Sequence, residues 1–231
     1  MPTFSLRGLT LTLPEAAMRG GLERAFSTGR YEHQEADAIL AHLRPGDRFM
    51  DLGAGIGFLC ALAARVLGAR AVTGVEAVPD TLALARATLA ANGLPEVQLV
   101  HGAVTGGRDG EVEFGQRPAF WASALQGHDG WPANARVIRV PALPLAILLA
   151  RHHPTVLCCD IEGAELAVLA TPLTGVRLVV AELHPGLYGA EGEARVRQNL
   201  LAQGFLPEPL GTKGATVVYR RSIGAGTVAD P

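Results

Sequence analysis

Phe49-Met50-Asp51-Leu52-Gly53-Ala54-Gly55-Ile56-Gly57 is the stretch around which the rest of the chain is organised. An apolar run meets an acid, then three glycines fall at alternate positions, then a helical pattern begins. This order describes a buried parallel strand that turns tightly into a helix. Glycine is required where the backbone takes positive φ or where a ligand must approach closer than a Cβ permits. The helix that follows offers unpaired N–H groups at its start. Dinucleotide sites space such glycines G-x-G-x-x-G. Here the third glycine comes one residue early, and Phe58 stands where that fingerprint needs it. The turn therefore reads as a ligand site, but not as a pyrophosphate cradle.

Outward from this turn the pattern repeats as βαβ units at short spacing, which implies right-handed crossovers and a parallel sheet. Strand one covers about Arg48–Leu52, and an all-round apolar helix follows from Gly57 to Leu67, closed by Gly68. Strand two, Ala71–Val75, ends at Glu76. A helix from Pro79 closes at Asn92-Gly93, and strand three covers Val97–Val100. Residues 105–135 are less regular, with a short strand at Glu111–Phe114 and a loop from Pro118 to Pro132 that holds Trp121 and Trp131. Loops of that length in compact domains often cover a site, so 116–135 is a candidate lid. Order returns with a strand near Val137–Val140 and a helix over Leu143–His152. Strand four is Val156–Asp160, with a helix from Ala164 to Ala170. Strand five is Leu178–Glu182, followed by a helix over Glu191–Gln203 and strands near Phe205 and Thr216–Arg220. Ahead of strand one, residues 4–12 read as an exposed strand. A short helix from Pro14 to Phe26 and a second from Tyr31 or Glu32 to Leu43 complete an N-terminal cap, residues 1–46. The main domain spans 47–221, and 222–231 is a Gly- and Ala-rich tail expected to be disordered.

The chain has 231 residues, 48% apolar and only 5% aromatic, so its core is aliphatic. The net charge of −2 has no basic block, which disfavours nucleic acid and anionic membrane as partners. Cys60, Cys158 and Cys159 form neither a disulfide framework nor a zinc pattern. The last two are adjacent in an apolar run and so face opposite sides of a strand. Three unpaired cysteines and no signal peptide or membrane-length apolar run fit a reducing, cytoplasmic setting.

Open α/β sheets bind ligands beyond the carboxyl ends of their strands. At those ends stand Asp51 and the loop residues Gly53, Ala54, Gly55 and Gly57; Glu76 and Ala77; His101 and Ala103; Asp160 and Glu162; Glu182 and His184. Glu76 lies 76 − 51 = 25 residues after Asp51, where an acid can accept hydrogen bonds from both hydroxyls of a ribose. His101 and Ala103 are placed to line an adenine pocket. Competing structural readings exist for several of these. Asp160 could cap the next helix, and Glu162 could pair with its positive end. Glu165 reads as a solvated or dipole-pairing acid at that helix start. His184 could be an ordinary loop histidine, and His33, His42, His152 and His153 read as surface residues. Asp160, Glu162, Glu182 and His184 supply the atoms that metals bind, but spacing alone defines no site, and no metal is assigned.

Asp51-Leu52-Gly53-Ala54-Gly55-Ile56-Gly57, Gly74-Val75-Glu76-Ala77 and above all Cys159-Asp160-Ile161-Glu162-Gly163-Ala164-Glu165-Leu166 resemble the FkbM family of S-adenosylmethionine (SAM) methyltransferases. Glu182-Leu183-His184 resembles the family's acid after strand five. Tyr31-Glu32 resembles its aromatic–acid pair before the cap helix. The resemblance runs from about residue 30 to 185. It implies a Rossmann-like class I methyltransferase fold: a mostly parallel seven-stranded sheet with an antiparallel last hairpin, flanked by helices. It implies SAM bound by Tyr31, Glu32, Asp51, Gly53, Ala54, Gly55, Gly57, Glu76, Ala77, His101 and Ala103, with S-adenosylhomocysteine as product. Asp51 would help orient the cationic amino-acid end. Asp160, Glu162 and His184 become the catalytic candidates for methylating a hydroxyl of a small molecule such as a sugar or polyketide. The D-x-E-G-x-E segment replaces the Asn/Asp-Pro-Pro-aromatic motif of amino-group methyltransferases. Two departures stand out. His101 replaces a small polar residue, and 104–140 is divergent, so the acceptor does not carry over. A homodimer stays open, as do a non-catalytic SAM-binding protein and a nicotinamide-dependent oxidoreductase.

Overall fold

A hairpin opens the chain, β1 (Thr3–Leu6) paired antiparallel with β2 (Leu9–Thr12). The sequence reads 4–12 as one exposed strand. Instead Arg7 and Gly8, both at positive φ, fold it back on itself. Leu9, Leu11 and Leu13 are then fully buried rather than exposed. The computed structural model describes residues 2–15, 21–117, 123–125, 131 and 133–221. The expected tail, Trp121 and most of the expected lid lie outside the described residues, as does the middle of the first cap helix. What is described of that helix is α1 (Leu22–Ser27); α2 (His33–His42) completes the cap.

The βα series then follows its sequence pattern closely. It runs β3 (Phe49–Leu52), α3 (Phe58–Leu67), β4 (Val72–Glu76), α4 (Pro79–Ala91) and β5 (Gln98–His101). Phe58 to Ala64 are buried without a break, as an all-round apolar helix requires. Four strands come next: β6 (Ala103–Thr105), β7 (Glu111–Gln116), β8 (Ala124–Leu125) and β9 (Arg136–Pro144). Then come α5 (Leu145–His152), β10 (Val156–Cys159), α6 (Glu165–Val168) and β11 (Leu178–Glu182). The chain ends with α7 (Pro185–Ala202), β12 (Phe205–Pro207) and β13 (Thr216–Arg221). α7 begins at Pro185 rather than Glu191, across a break at Gly189. Proline at the first helical position explains the earlier start. None of the described helices is long and apolar enough to cross a membrane.

The main sheet has the order β12-β13-β11-β10-β3-β4-β5. β11, β10, β3, β4 and β5 are parallel, and β13 runs antiparallel between β11 and β12. This is the expected Rossmann-like sheet with its reversed last hairpin. Strand alternation divides the core into two layers. Phe49, Cys158 and Val180 pack with α3 and the cap, while Met50, Leu157, Cys159 and Val179 pack with α5, α6 and α7. The adjacent cysteines thus face opposite layers.

The stretch expected to be irregular instead holds a four-stranded sheet, β6-β9-β7-β8. Val112, Phe114, Val140 and Ala142 bury one face of it against Ala77, Val78 and Ala103. Trp131 lies against Gly115, where a Cβ would stand 2.2 Å from the indole, and its N–H donates to the Ala124 carbonyl. Prolines 141 and 144 disguise β9 in the sequence, since proline argues against a central strand.

One ion pair ties the cap to the sheet floor. Asp47 accepts hydrogen bonds from the Arg177 guanidinium and the Thr155 hydroxyl, and Arg177 also donates to the His42 carbonyl. The Asp47 carboxyl is held below its ordinary range because these partners outweigh burial. Removing one member of a buried pair strands the other. Asp47→Ala should therefore cost about 2–3 kcal/mol at neutral pH, with the cost shrinking below pH ~4 where the carboxyl protonates. Urea unfolding across that range checks it.

Candidate active site

The ends of β3, β4 and β10 meet because glycine lets them. Gly53, Gly55 and Gly57 all have positive φ. A Cβ on Gly53 would sit 1.8 Å from the Asp160 carbonyl oxygen. The N–H groups of Gly53 and Ala54 donate to the Val75 carbonyl at the end of β4, at 3.0 and 2.9 Å. The glycine turn is thus fastened to both neighbouring strands.

Above it opens a cleft of about 650 Å³. Gly53, Gly55 and Glu76 line its base, Ala77, Ala103 and Phe114 one side, and Tyr31, Glu32, Asp160 and Glu162 the other. A second chamber of about 960 Å³ adjoins it, lined by Arg30, Glu35, Glu182 and His184. The two share Tyr31, Glu32, Asp160 and Glu162. Tyr31 stacks on Phe26 and meets Phe58 edge-on, which fixes the cap to α3.

Four of the residues proposed from sequence stand back from the cleft. Asp51 pairs in register with Cys158, so its side chain faces the α3 layer beneath the turn. It is 2% exposed and accepts a hydrogen bond from the Cys60 thiol at 3.4 Å. Burial pushes it up to about 7 against the lowering effect of the two cysteines. Ala54 and Gly57 lie on the packed side of the turn, where a Cβ on Gly57 would meet Ala85. His101 is turned so that Nε2 lies 3.1 Å from the Ala77 carbonyl.

Glu76 accepts from the Gly55 N–H at 2.9 Å and the Val78 N–H at 2.8 Å. It links the glycine turn to the start of α4. Burial holds it at about 7 although both amides oppose the shift.

His184 stands among acids. Its Nε2 is 3.5 Å from Asp160 Oδ1 and 3.7 Å from Glu162 Oε2, and its Nδ1 is 3.3 Å from Glu165 Oε1. Burial lowers its affinity for a proton, but Glu165, Asp160 and Glu162 outweigh that and hold it at about 9. Asp160 is driven well above the carboxylate range by burial and by Glu182, with His184 opposing. Its Oδ1 is buried and has no hydrogen-bond partner. Burial raises Glu162 to about 7, again opposed by His184. Asp160, Glu162 and His184 each bring one oxygen or nitrogen within 4.8 Å of the others, and acid clusters of that spacing are common without an ion. Glu162 itself sits at positive φ, ahead of Gly163.

The sequence reading missed several residues here. Phe114, Ser123 and Leu125 line the cleft from the small sheet; the Val112–Phe114 alternation was their signal. Glu165 is not solvated but fully buried, accepting from the Ile161 and Gly163 N–H groups. A glutamate that reaches back to amides just before its helix is the capping-box pattern, which could have revealed it. His152 is buried, not on the surface.

A family model described as the methyltransferase FkbM domain matches residues 51–207. The chain belongs to this family. The match begins at Asp51 and ends at Pro207, covering the cofactor turn, the acid turn and the small sheet. Over 72 residues the chain is 44% identical to ribosomal protein L11 methyltransferase of Thermus thermophilus. That stretch is 30% of this chain and spans only 28% of the relative. Among solved structures, a methyltransferase from Geobacter sulfurreducens aligns over 91% of both chains at 18% identity, with a TM-score of 0.49. The ribosomal protein L11 methylase of Lactobacillus delbrueckii subsp. bulgaricus aligns over 82% of this chain and 77% of its own at 12% identity, with a TM-score of 0.47.

Asp51, Glu76 and Glu162 all stand at about 7, and unfolded carboxylates titrate near ~4. The folded state therefore holds more protons between those values, and stability falls as pH rises through 7. His184 acts in the same direction, its contribution being lost as pH rises through about 9. The urea midpoint should be highest near pH ~5 and decline steadily toward pH ~9. A midpoint that climbs over that interval would contradict these environments.

Proposed function

We propose that the protein transfers a methyl group from SAM to a hydroxyl oxygen of a small-molecule acceptor. The observation that carries this reading is the joining of two clefts at Asp160 and Glu162. The residues of the first cleft fit the cofactor. Gly53 and Gly55 leave a Cβ-free base, Glu76 offers a carboxylate for ribose hydroxyls, and Ala77, Ala103, Phe114 and Leu125 make an apolar wall for adenine. Asp51 supports the turn from beneath. When bound, SAM supplies a methyl carbon made electrophilic by a sulfonium.

The acceptor belongs in the second chamber, with its hydroxyl at Asp160. Holding reactants in one geometry supplies much of the acceleration in such a displacement. What remains is the hydroxyl proton. The free, buried Oδ1 of Asp160 receives it, and an aspartate with raised proton affinity suits a general base better than an ordinary one. His184 beside it opposes that rise and favours the ionised form of Asp160; Glu162 orients the imidazole.

Asp160→Asn tests the assignment once a screen of hydroxylated metabolites has found an acceptor. SAM affinity by calorimetry should stay within about threefold, while S-adenosylhomocysteine release falls by roughly 100-fold or more. Retained turnover removes Asp160 from the mechanism.

A further inference from the structure

We propose that Glu165 is a positioning residue: from its buried place after β10 it accepts the Nδ1 proton of His184 and turns Nε2 toward Asp160 and the acceptor chamber. The proposal rests on the reading of Asp160 and His184 as the proton-handling pair, but its test does not.

Glu165 is 0% exposed. A buried carboxylate must find donors. Two are backbone amides: Ile161 donates to Oε1 and Gly163 to Oε2, both at 2.9 Å. The third neighbour is His184 Nδ1, which lies 3.3 Å from Oε1; it is buried, has no other partner and is not yet in hydrogen-bonding alignment with the carboxylate. The backbone that carries the ring is held as well. The His184 main-chain N–H donates to the Tyr188 hydroxyl at 2.6 Å, and a Cβ on Gly163 would press on Leu187. The turn before α6 and the start of α7 are thus clamped together, with the Glu165–imidazole contact between them. A flipped ring would set the carbon Cδ2 against Glu165 and turn the ring nitrogen that faces the carboxylate away from it.

The groups facing the ring come from every element around it. Asp160 and Glu162 follow β10, with side chains 31% and 23% exposed, and Glu182 ends β11. Tyr188 lies on α7. From the cap, Glu32, Glu35, Arg30 and His33 line the same chamber. Asp160, Glu162 and Glu182 all line the open chamber; Glu165 alone among the four acids is sealed from it. It is therefore the member whose influence on the ring solvent and substrate leave unchanged. A glutamate that merely stapled the turn through its two amides would have no bearing on the state of the imidazole.

The test is long-range 1H–15N NMR of the histidine rings in the free protein, with His184→Gln used to assign the signal. In the wild-type protein, the neutral ring above its titration midpoint should carry its proton on Nδ1. In Glu165→Gln the His184 midpoint should fall by about 1 pH unit or more, the effect of removing an opposite charge at this range. A neutral ring protonated on Nε2, or a midpoint that does not fall, overturns the proposal. If Glu165→Gln does not fold, the wild-type tautomer decides alone. Because neither cofactor nor acceptor is present, failure of the methyl-transfer reading would leave this measurement intact.

Discussion

The missing Cβ at Gly53 sets the geometry of the whole site. Any side chain there would collide with the Asp160 carbonyl, so β3 and β10 could not end side by side. Their contact places the glycine turn next to the acid turn. Since β3 and β10 are parallel and in register, each residue beyond their ends has a fixed neighbour. The Asp160 N–H donates to the Leu52 carbonyl at 3.0 Å, the last rung of that ladder. Proximity of cleft and chamber is therefore a property of backbone pairing, not of flexible side chains.

Buried charge is the second theme. Asp51, Glu76, Asp160, Glu162 and Glu182 are all raised in proton affinity, and burial is the first cause each time. Folding is opposed by every one of them as it ionises. Strongly shifted groups gathered in a cleft are a mark of function, because packing alone would have selected apolar residues there. The structural acids are arranged differently. Asp47 is paired with Arg177 and lowered, at the opposite end of β3 from the site. Asp47 is held ionised by a partner, whereas Glu76, Asp160 and Glu162 line the cleft with raised proton affinity.

Much of this was legible in the sequence. The strand–glycine–helix turn, the acid 25 residues on and the D-x-E-G-x-E segment located the edge of the sheet where the cleft opens, and the βα repeat indicated a mostly parallel sheet. What escaped notice depended on contacts far apart in sequence. Whether Asp51 points into the cleft or under it is decided by its register with Cys158, more than a hundred residues away. Glu165 looks like any acid at a helix start; only the β11–α7 turn, packed over it, makes it buried. The small sheet was hidden by prolines in β9 and by a strand, β8, of two residues. Local patterns report local periodicity, and these features have none.

The cap completes both openings at the sheet edge, since Tyr31 and Glu32 line the cleft as well as the chamber. Arg30, Tyr31, Glu32 and Glu35 all come from the α1–α2 region, yet they line the chamber against strand ends of the main sheet. Phe26, Tyr31 and Phe58 form a continuous aromatic stack, so the cap cannot shift without disturbing α3, which begins at the glycine turn. Glu35 is tied to Thr216 of β13, the strand next to β11. One surface of the chamber thus belongs to the sheet edge and the other to a segment that precedes the family match. Cap and sheet edge therefore share both openings, Tyr31 and Glu32 facing Asp160 and Glu162 in each, and three aromatic rings hold the two parts in that relation.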